Sequence, residues 1–245
     1  MKKLNNIIGF TLLLSFVNIS NAEKAPFESS YEPLPSTNTI FRNANIYDGD
    51  GNEFNETDLL IKDGKIIAIG KDLPGSSDFI EVDATNKWIT PGIIDIHSHM
   101  GVYSAPSVSS SSDGNEATSP VTADVWAEHS IWTQDPQFAL ALKGGVTTFH
   151  VLPGSANLIG GRGVTAKNVQ RNTINSMKFP NAPHTLKMAC GENPKRVYGN
   201  RKQAPSTRMG NIAGYRKAWI DAESYLSRLD EYGSKSDEAK VIGYK

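Results

Sequence analysis

Hydrophobic and polar positions alternate in short runs over the first third of the chain and change character after Pro91. Thr39 to Tyr47 reads as a strand, closed by Asp48-Gly49-Asp50-Gly51, a run that demands a tight turn. Asp58 to Lys62 and Lys65 to Gly70 flank Asp63-Gly64, the strongest short hairpin signal a sequence can carry. Phe79 to Asp83 and Lys87 to Ile89 add further strands without helical periodicity, so residues 39–90 predict a small β-sandwich. Past Pro91, Ile93 to His97 is a continuous apolar run with one acid, as in a parallel strand buried on both faces. Asp135 as N-cap and Pro136 at the first helical position start a helix, with Phe138, Leu140, Ala141 and Leu142 on its apolar side. Gly144-Gly145 ends it, and Val146 to Leu152 is the next buried strand. A third strand fits Thr185 to Cys190. Between Gly210 and Tyr232, Ala213, Trp219, Ile220, Ala222, Tyr225 and Leu226 recur at helical spacing and predict an amphipathic helix. Strand, helix, strand is the repeat of a parallel α/β domain.

Two segments resist this pattern. Residues 23–38 carry three prolines among polar residues and read as an extended linker. Gly101 to about Ala123 is a long loop containing Ser107, Ser109, Ser110, Ser111 and Ser112. It is either a surface linker or a loop beside a site, the two usual reasons for such length.

Residues 1–22 have the layout of a secretory signal peptide: Lys2 and Lys3, an apolar run from Ile7 to Ile19, then Ser20-Asn21-Ala22. The alternative is an uncleaved anchor or a buried helix. No cysteine stands at the cleavage position, which argues against a lipoprotein. A bacterial periplasmic or secreted location follows, with no membrane contact after cleavage. The 245 residues carry a formal charge of −1, and losing residues 1–22, with two lysines and no acid, makes it −3. That balance offers nothing to nucleic acid. Cys190 is the single cysteine, so no intramolecular disulfide forms and the core must hold the fold.

The candidate chemistry is at Trp88-Ile89-Thr90-Pro91-Gly92-Ile93-Ile94-Asp95-Ile96-His97-Ser98-His99. Residues two apart on a strand share a face, so Asp95, His97 and His99 project together while Ile94 and Ile96 project oppositely. Two imidazoles at the carboxyl end of a parallel strand can share one divalent ion, and Asp95 can hold a ring nitrogen or the local backbone. The pair alone supplies two of the three or more ligands that a site needs. Gly160-Gly161-Arg162-Gly163 lacks the spacing of either phosphate-binding glycine motif, so a nucleotide site is rejected. His129 and His184 read as surface residues, and Cys190 as packing rather than nucleophile.

The run FRNANIYDGDGNEFNETDLLIKDGKIIAIG followed by WITPGIIDIHSHMG resembles the amidohydrolase superfamily of metal-dependent hydrolases. GGVTTFHVLPGSANLIGGRGVTAKN and LKMACGENPKRVYG are similar to its secreted imidazolonepropionase-like subgroup. The resemblance covers roughly residues 39–230. It implies a (β/α)8 TIM barrel, with residues 39–90 as its β-sandwich part and 91–245 as the first part of the barrel. It also implies one or two divalent ions, often zinc. The reaction would be hydrolysis of an amide or amidine C–N bond in a small, non-peptide or cyclic substrate. The metal lowers the pKa of a bound water to about 7, and an aspartate late in the barrel takes the proton. His97 and His99 match the first-strand ligands. The family's bridging carboxylate, a glutamate or a carbamylated lysine, falls on Glu192 as first choice and Lys187 as the alternative. Arg162 and His150 are candidates to touch substrate.

A full barrel takes about 250 residues, and Pro91 to Lys245 offers far fewer. The sequence thus predicts an incomplete, C-terminally truncated barrel, with the aspartate base beyond the chain end and an apolar interior exposed. A second chain completing the barrel, or a homo-oligomer, would cover it. Alternatives to the hydrolase are a non-catalytic remnant or binding module, and a secreted prolidase-like metal-dependent dipeptidase.

Overall fold

The computed structural model describes residues 28–234; the expected signal peptide lies outside the described residues. Asp63 and Gly64 both take positive φ, 50° and 72°, the geometry that suits the twist of a two-residue hairpin. They join β2 (Glu53–Lys62) to β3 (Lys65–Gly70). β1 (Thr39–Tyr47) pairs antiparallel with β2, and β4 (Ile80–Asp83) and β5 (Trp88–Ile89) add to β1 in parallel. The expected sandwich is instead one five-stranded sheet among the described residues, because β4 and β5 share an edge of β1 and form no second layer. Ala44, Ile46, Leu59 and Ala84 are its buried core. β2 starts five residues before the expected Asp58. Glu56 there takes φ of 50°, and the register with β1 shifts on both sides of Ala44, which breaks the alternation a strand reading relies on.

The second sheet begins at β6 (Ile93–Ser98), continues through α1 (Pro136–Lys143) to β7 (Val146–Val151), and β6 and β7 are parallel. The predicted N-cap is realised. Asp135 accepts from the Gln137 backbone N–H at 3.0 Å and also from the Gly101 N–H at 2.9 Å, so one buried carboxylate starts the helix and pins the loop after β6. The parallel strand-helix-strand repeat expected from the sequence stops at the next strand. β8 (Ile159–Lys167) runs antiparallel to β7, and β9 (Thr185–Met188) antiparallel to β8. Order in the sheet is β6-β7-β8-β9. Phe138, Phe149, Val151, Val164, Ala166 and Met177 form the core on one face. α2 (Glu192–Asn200) and α3 (Arg208–Ser234) follow. α3 was predicted amphipathic, yet only Asn211 in it is buried, and Trp219, Ile220, Tyr225 and Leu226 are exposed. No described helix is long and apolar enough to cross a membrane.

Both irregular segments are held against the second sheet. Ser30 N–H reaches Asn175 O at 2.9 Å and the Ser29 hydroxyl reaches Lys178 O at 2.8 Å, so this end of the expected linker is docked. In the long loop, Val102, Ser104 and Thr122 are buried, which excludes a free surface linker. The loop runs along β8 through Thr122 N–H to Ile159 O, 2.8 Å, and Arg162 N–H to Val125 O, 2.8 Å. The glycine run makes that approach possible. A Cβ on Gly161, which has φ of +109°, would lie 2.5 Å from the Val125 carbonyl oxygen. This use of the glycines also hid β8 from a reading based on side chains.

Candidate metal centre

His97 and His99 leave the end of β6 where its register with β7 slips between Asp95 and Ser98. Strict alternation therefore does not carry the geometry; local hydrogen bonds do. Asp95 Oδ1 accepts the His97 backbone N–H at 3.0 Å, so of its two expected uses it serves the backbone. The two imidazoles stand 5.3 Å apart between ring centres, nearly perpendicular. His99 Nδ1 lies 2.9 Å from Leu152 O, just past β7. A carbonyl can only accept, so Nδ1 carries the proton and Nε2 presents its lone pair.

The third group comes from the far edge of the sheet. Lys187 Nζ on β9 is 3.1 Å from His97 Nε2. Since β6 and β9 are the first and last strands of that sheet, it must curl strongly for these side chains to meet. The Lys187 charge, then burial, then His99 hold the His97 imidazole below its ordinary pKa, against an opposing effect from Asp95. Burial holds the Lys187 amine below its own.

Glu192, first choice among the carboxylates, is not brought to this cluster. β9 ends at Met188 and Glu192 opens α2, where its exposed carboxylate accepts from Arg196 Nε at 2.7 Å. Among the described residues no three His, Cys, Asp or Glu side chains gather to hold a metal. The donors that do converge are two imidazoles and an amine, a set that suits a borderline divalent ion once the amine is uncharged or carries a carboxylate.

His150 on β7 has both ring nitrogens engaged, Nδ1 with Thr165 Oγ1 at 2.9 Å and Nε2 with Thr185 Oγ1 at 2.7 Å. It ties three strands together beside the centre. Burial, then the charges of His184 and His97, lower its pKa. Arg162 is stacked over Trp126 with its guanidinium carbon 4.7 Å from the ring centre. His184 is half-buried against the same ring, centroids 4.6 Å apart, and not on the open surface; His129 is exposed as expected. Cys190 is exposed where packing was expected.

A cleft of about 310 Å³ adjoins His99 and is lined by Tyr103, Asn115, Ser155, Asn193 and Arg196. A larger one, about 350 Å³, beside Trp126 and Gly160 touches neither His97 nor His99, and the chemistry favours the smaller. Its lining residues come from the long loop, the turn after β7 and α2, so no linear motif announced them.

Comparison with known proteins places this geometry. A crystal structure of an amidohydrolase from Thermotoga maritima superposes with a TM-score of 0.72 at 37% identity, covering 84% of this chain and 54% of that one. The curated amidohydrolase tasK of Hapsidospora irregularis is 33% identical over 222 residues, 86% of this chain and 22% of that protein. Over most of its length the chain is similar to amidohydrolases. A dihydroorotase from Ligilactobacillus salivarius is 43% identical over 63 residues, 25% of this chain and 14% of its own length. No family model matches. The chain thus spans about half of the Thermotoga protein and about a fifth of tasK.

Proposed function

We propose that this chain, secreted or periplasmic, carries the metal-holding side of a hydrolytic centre for a C–N bond other than a peptide bond in a small substrate. One observation carries the reading: His97, His99 and Lys187 converge from opposite edges of the curled sheet, with Lys187 Nζ 3.1 Å from His97 Nε2. His97 and His99 would hold a divalent ion, zinc in the first instance. When bound, that ion supplies a Lewis acid and lowers the pKa of water. The chain's own residues orient the centre. The Leu152 carbonyl keeps the His99 proton on Nδ1, and Asp95 fixes the backbone at His97.

Lys187 takes the bridging place that Glu192 does not reach. Its uncharged amine nitrogen adds to dissolved carbon dioxide, forming an N–C bond and releasing a proton to solvent, and a cation becomes a carboxylate. That converts the amine beside His97 into the oxygen ligand the donor set lacks. No aspartate joins the cluster among the described residues, so the proton-accepting role is not assigned to them. The open edges at β6 and β9 are where a further polypeptide would add strands.

The test is metal content by plasma emission after zinc loading in bicarbonate. The wild-type chain should retain zinc, and His97→Ala, His99→Ala and Lys187→Ala should each lose about 10- to 100-fold in affinity. Lys187→Ala should recover on addition of acetate or formate, and carbon-13 bicarbonate should give a carbamate signal absent from that variant. Equal zinc in all four proteins would overturn the assignment.

A further inference from the structure

The first two turns of α3 fix it to the rest of the chain. The Asn211 amide donates to Cys190 O and Gly191 O, each at 3.1 Å, and the Tyr215 hydroxyl donates to Ala189 O. From Trp219 to Glu231 every residue is exposed, yet the stretch is not polar. Trp219, Leu226 and Leu229 are 52%, 57% and 46% exposed. With Tyr215 and Ala222 they recur at alternate spacings of four and three residues, 215, 219, 222, 226 and 229. That alternation keeps all five on one seam of the helix, the spacing by which two helices interlock. An exposed apolar seam with a charged flank marks an interaction surface.

The flanks indicate what the seam meets. Arg216 and Glu223 border it on one side, and Ala218 and Tyr225 on the other. Neither Arg216 nor Glu223 has an opposite charge three or four residues away in the helix, whereas Lys217 and Asp221, on the far face, pair within the helix at 2.6 Å. Two copies of α3 laid antiparallel about a two-fold axis set each flank against its own copy. Arg216 of one chain then meets Glu223 of the other, and the pair occurs twice. Parallel packing would set that flank against Ala218 and Tyr225 and leave both charges without a partner. A two-fold interface must be complementary to itself, and the antiparallel arrangement makes this flank so. We infer that α3 is a dimerisation surface whose occupant is the α3 of a second copy of this chain, packed antiparallel. Trp219 of each copy lies against the small Ala222 of the other, and Tyr215 against Leu226, so large and small side chains alternate along the seam.

Sedimentation velocity on the 245-residue chain measures the dimer, with helicity checked by circular dichroism in every variant. Arg216→Glu and Glu223→Arg should each raise the dissociation constant about 10- to 100-fold, because two attractive pairs become repulsive. The variant carrying both substitutions should regain the wild-type constant. Leu226→Glu should weaken the dimer about 100-fold or more, since two copies of the leucine are lost from the seam. Fluorescence titration separates this surface from the β6 edge, which the charge variants leave unaltered. Labelled Arg216→Glu protein should bind Glu223→Arg protein about 10-fold or more tightly than it binds its own kind. Unaltered association in both single variants, no recovery in the double variant, or no preference for the complementary partner would each overturn the inference. A wild-type chain that is monomeric at every concentration would leave the seam to another occupant and overturn it as well.

Discussion

Lys178 and Glu128 show how much one side-chain pair depends on its surroundings. Their side chains are 5% and 1% exposed and meet at 2.7 Å, while Glu128 Oε2 lacks a hydrogen-bond partner among the described residues. Two desolvated charges attract strongly, but each has given up its water, so the pair is a poor net stabiliser and a costly one to halve. Lys178→Met alone should destabilise by about 3–5 kcal/mol, and Glu128→Leu with Lys178→Met by much less. Urea denaturation of the four proteins of the cycle measures this. Additive losses would refute the buried-pair account. Neither partner was legible as buried from the sequence, where Lys and Glu ordinarily mark solvent. His97 and His99 were legible because their spacing falls at a strand end. Lys187 stood in the same reading only as an alternative, since 90 residues of chain separate it from His97 and no local pattern encodes that meeting.

Among the elements, those with turn or cap chemistry written locally came out where expected. The Asp63-Gly64 hairpin and the Asp135-Pro136 helix start are examples, each set by backbone preferences of adjacent residues. β8 and α2 did not, because glycines in one and scattered polar residues in the other erase the hydrophobic period. The first sheet depends on a charged tie as well as its core. Asp58 Oδ2 receives Arg42 at 2.8 Å and the Leu73 N–H at 3.1 Å, and its Oδ1 receives the Asn43 N–H at 2.9 Å. Burial pushes the Asp58 pKa up, and the Asn43, Arg42 and Leu73 donors outweigh it, leaving the carboxyl below the ordinary 3.8. A pKa lowered on folding contributes stability that is complete above the unfolded value and disappears as pH falls through the folded one. Wild type should thus exceed Asp58→Asn in stability at neutral pH. The gap should close as pH drops below about 4, as read from thermal or urea unfolding at a series of pH values. A gap independent of pH would contradict the assignment.

At the scale of the molecule, the second sheet is curled yet open among the described residues. β6 and β9 end it, and Ile93, Ile94 and Ile96 on β6 are 53%, 62% and 76% exposed. An open edge with apolar side chains is a template for further strands. The chain on its own should therefore associate with rising concentration, and Ile96→Lys should reduce that association, both followed by sedimentation velocity. A wild-type chain that stays monomeric at every concentration would show that the edge is protected. The matched Thermotoga amidohydrolase is nearly twice as long as the matched region.

The sequence by itself determined the strand-rich start, the βαβ entry into the second sheet, the histidine pair and the family resemblance. All of these rest on short-range periodicity, turn residues and contiguous motifs. Only the tertiary structure decided which group joins the histidines. The curl of the sheet sets Lys187 against His97, whereas the helix start at residue 192 carries the rival carboxylate to Arg196. It also decided that the glycine run serves a close backbone approach, and that Arg196 rather than Arg162 faces the cleft beside His99. The physical reason is common to all three. Strand order, sheet curvature and helix direction are settled by packing between residues far apart in sequence, and they fix where a side chain's charge or lone pair ends up.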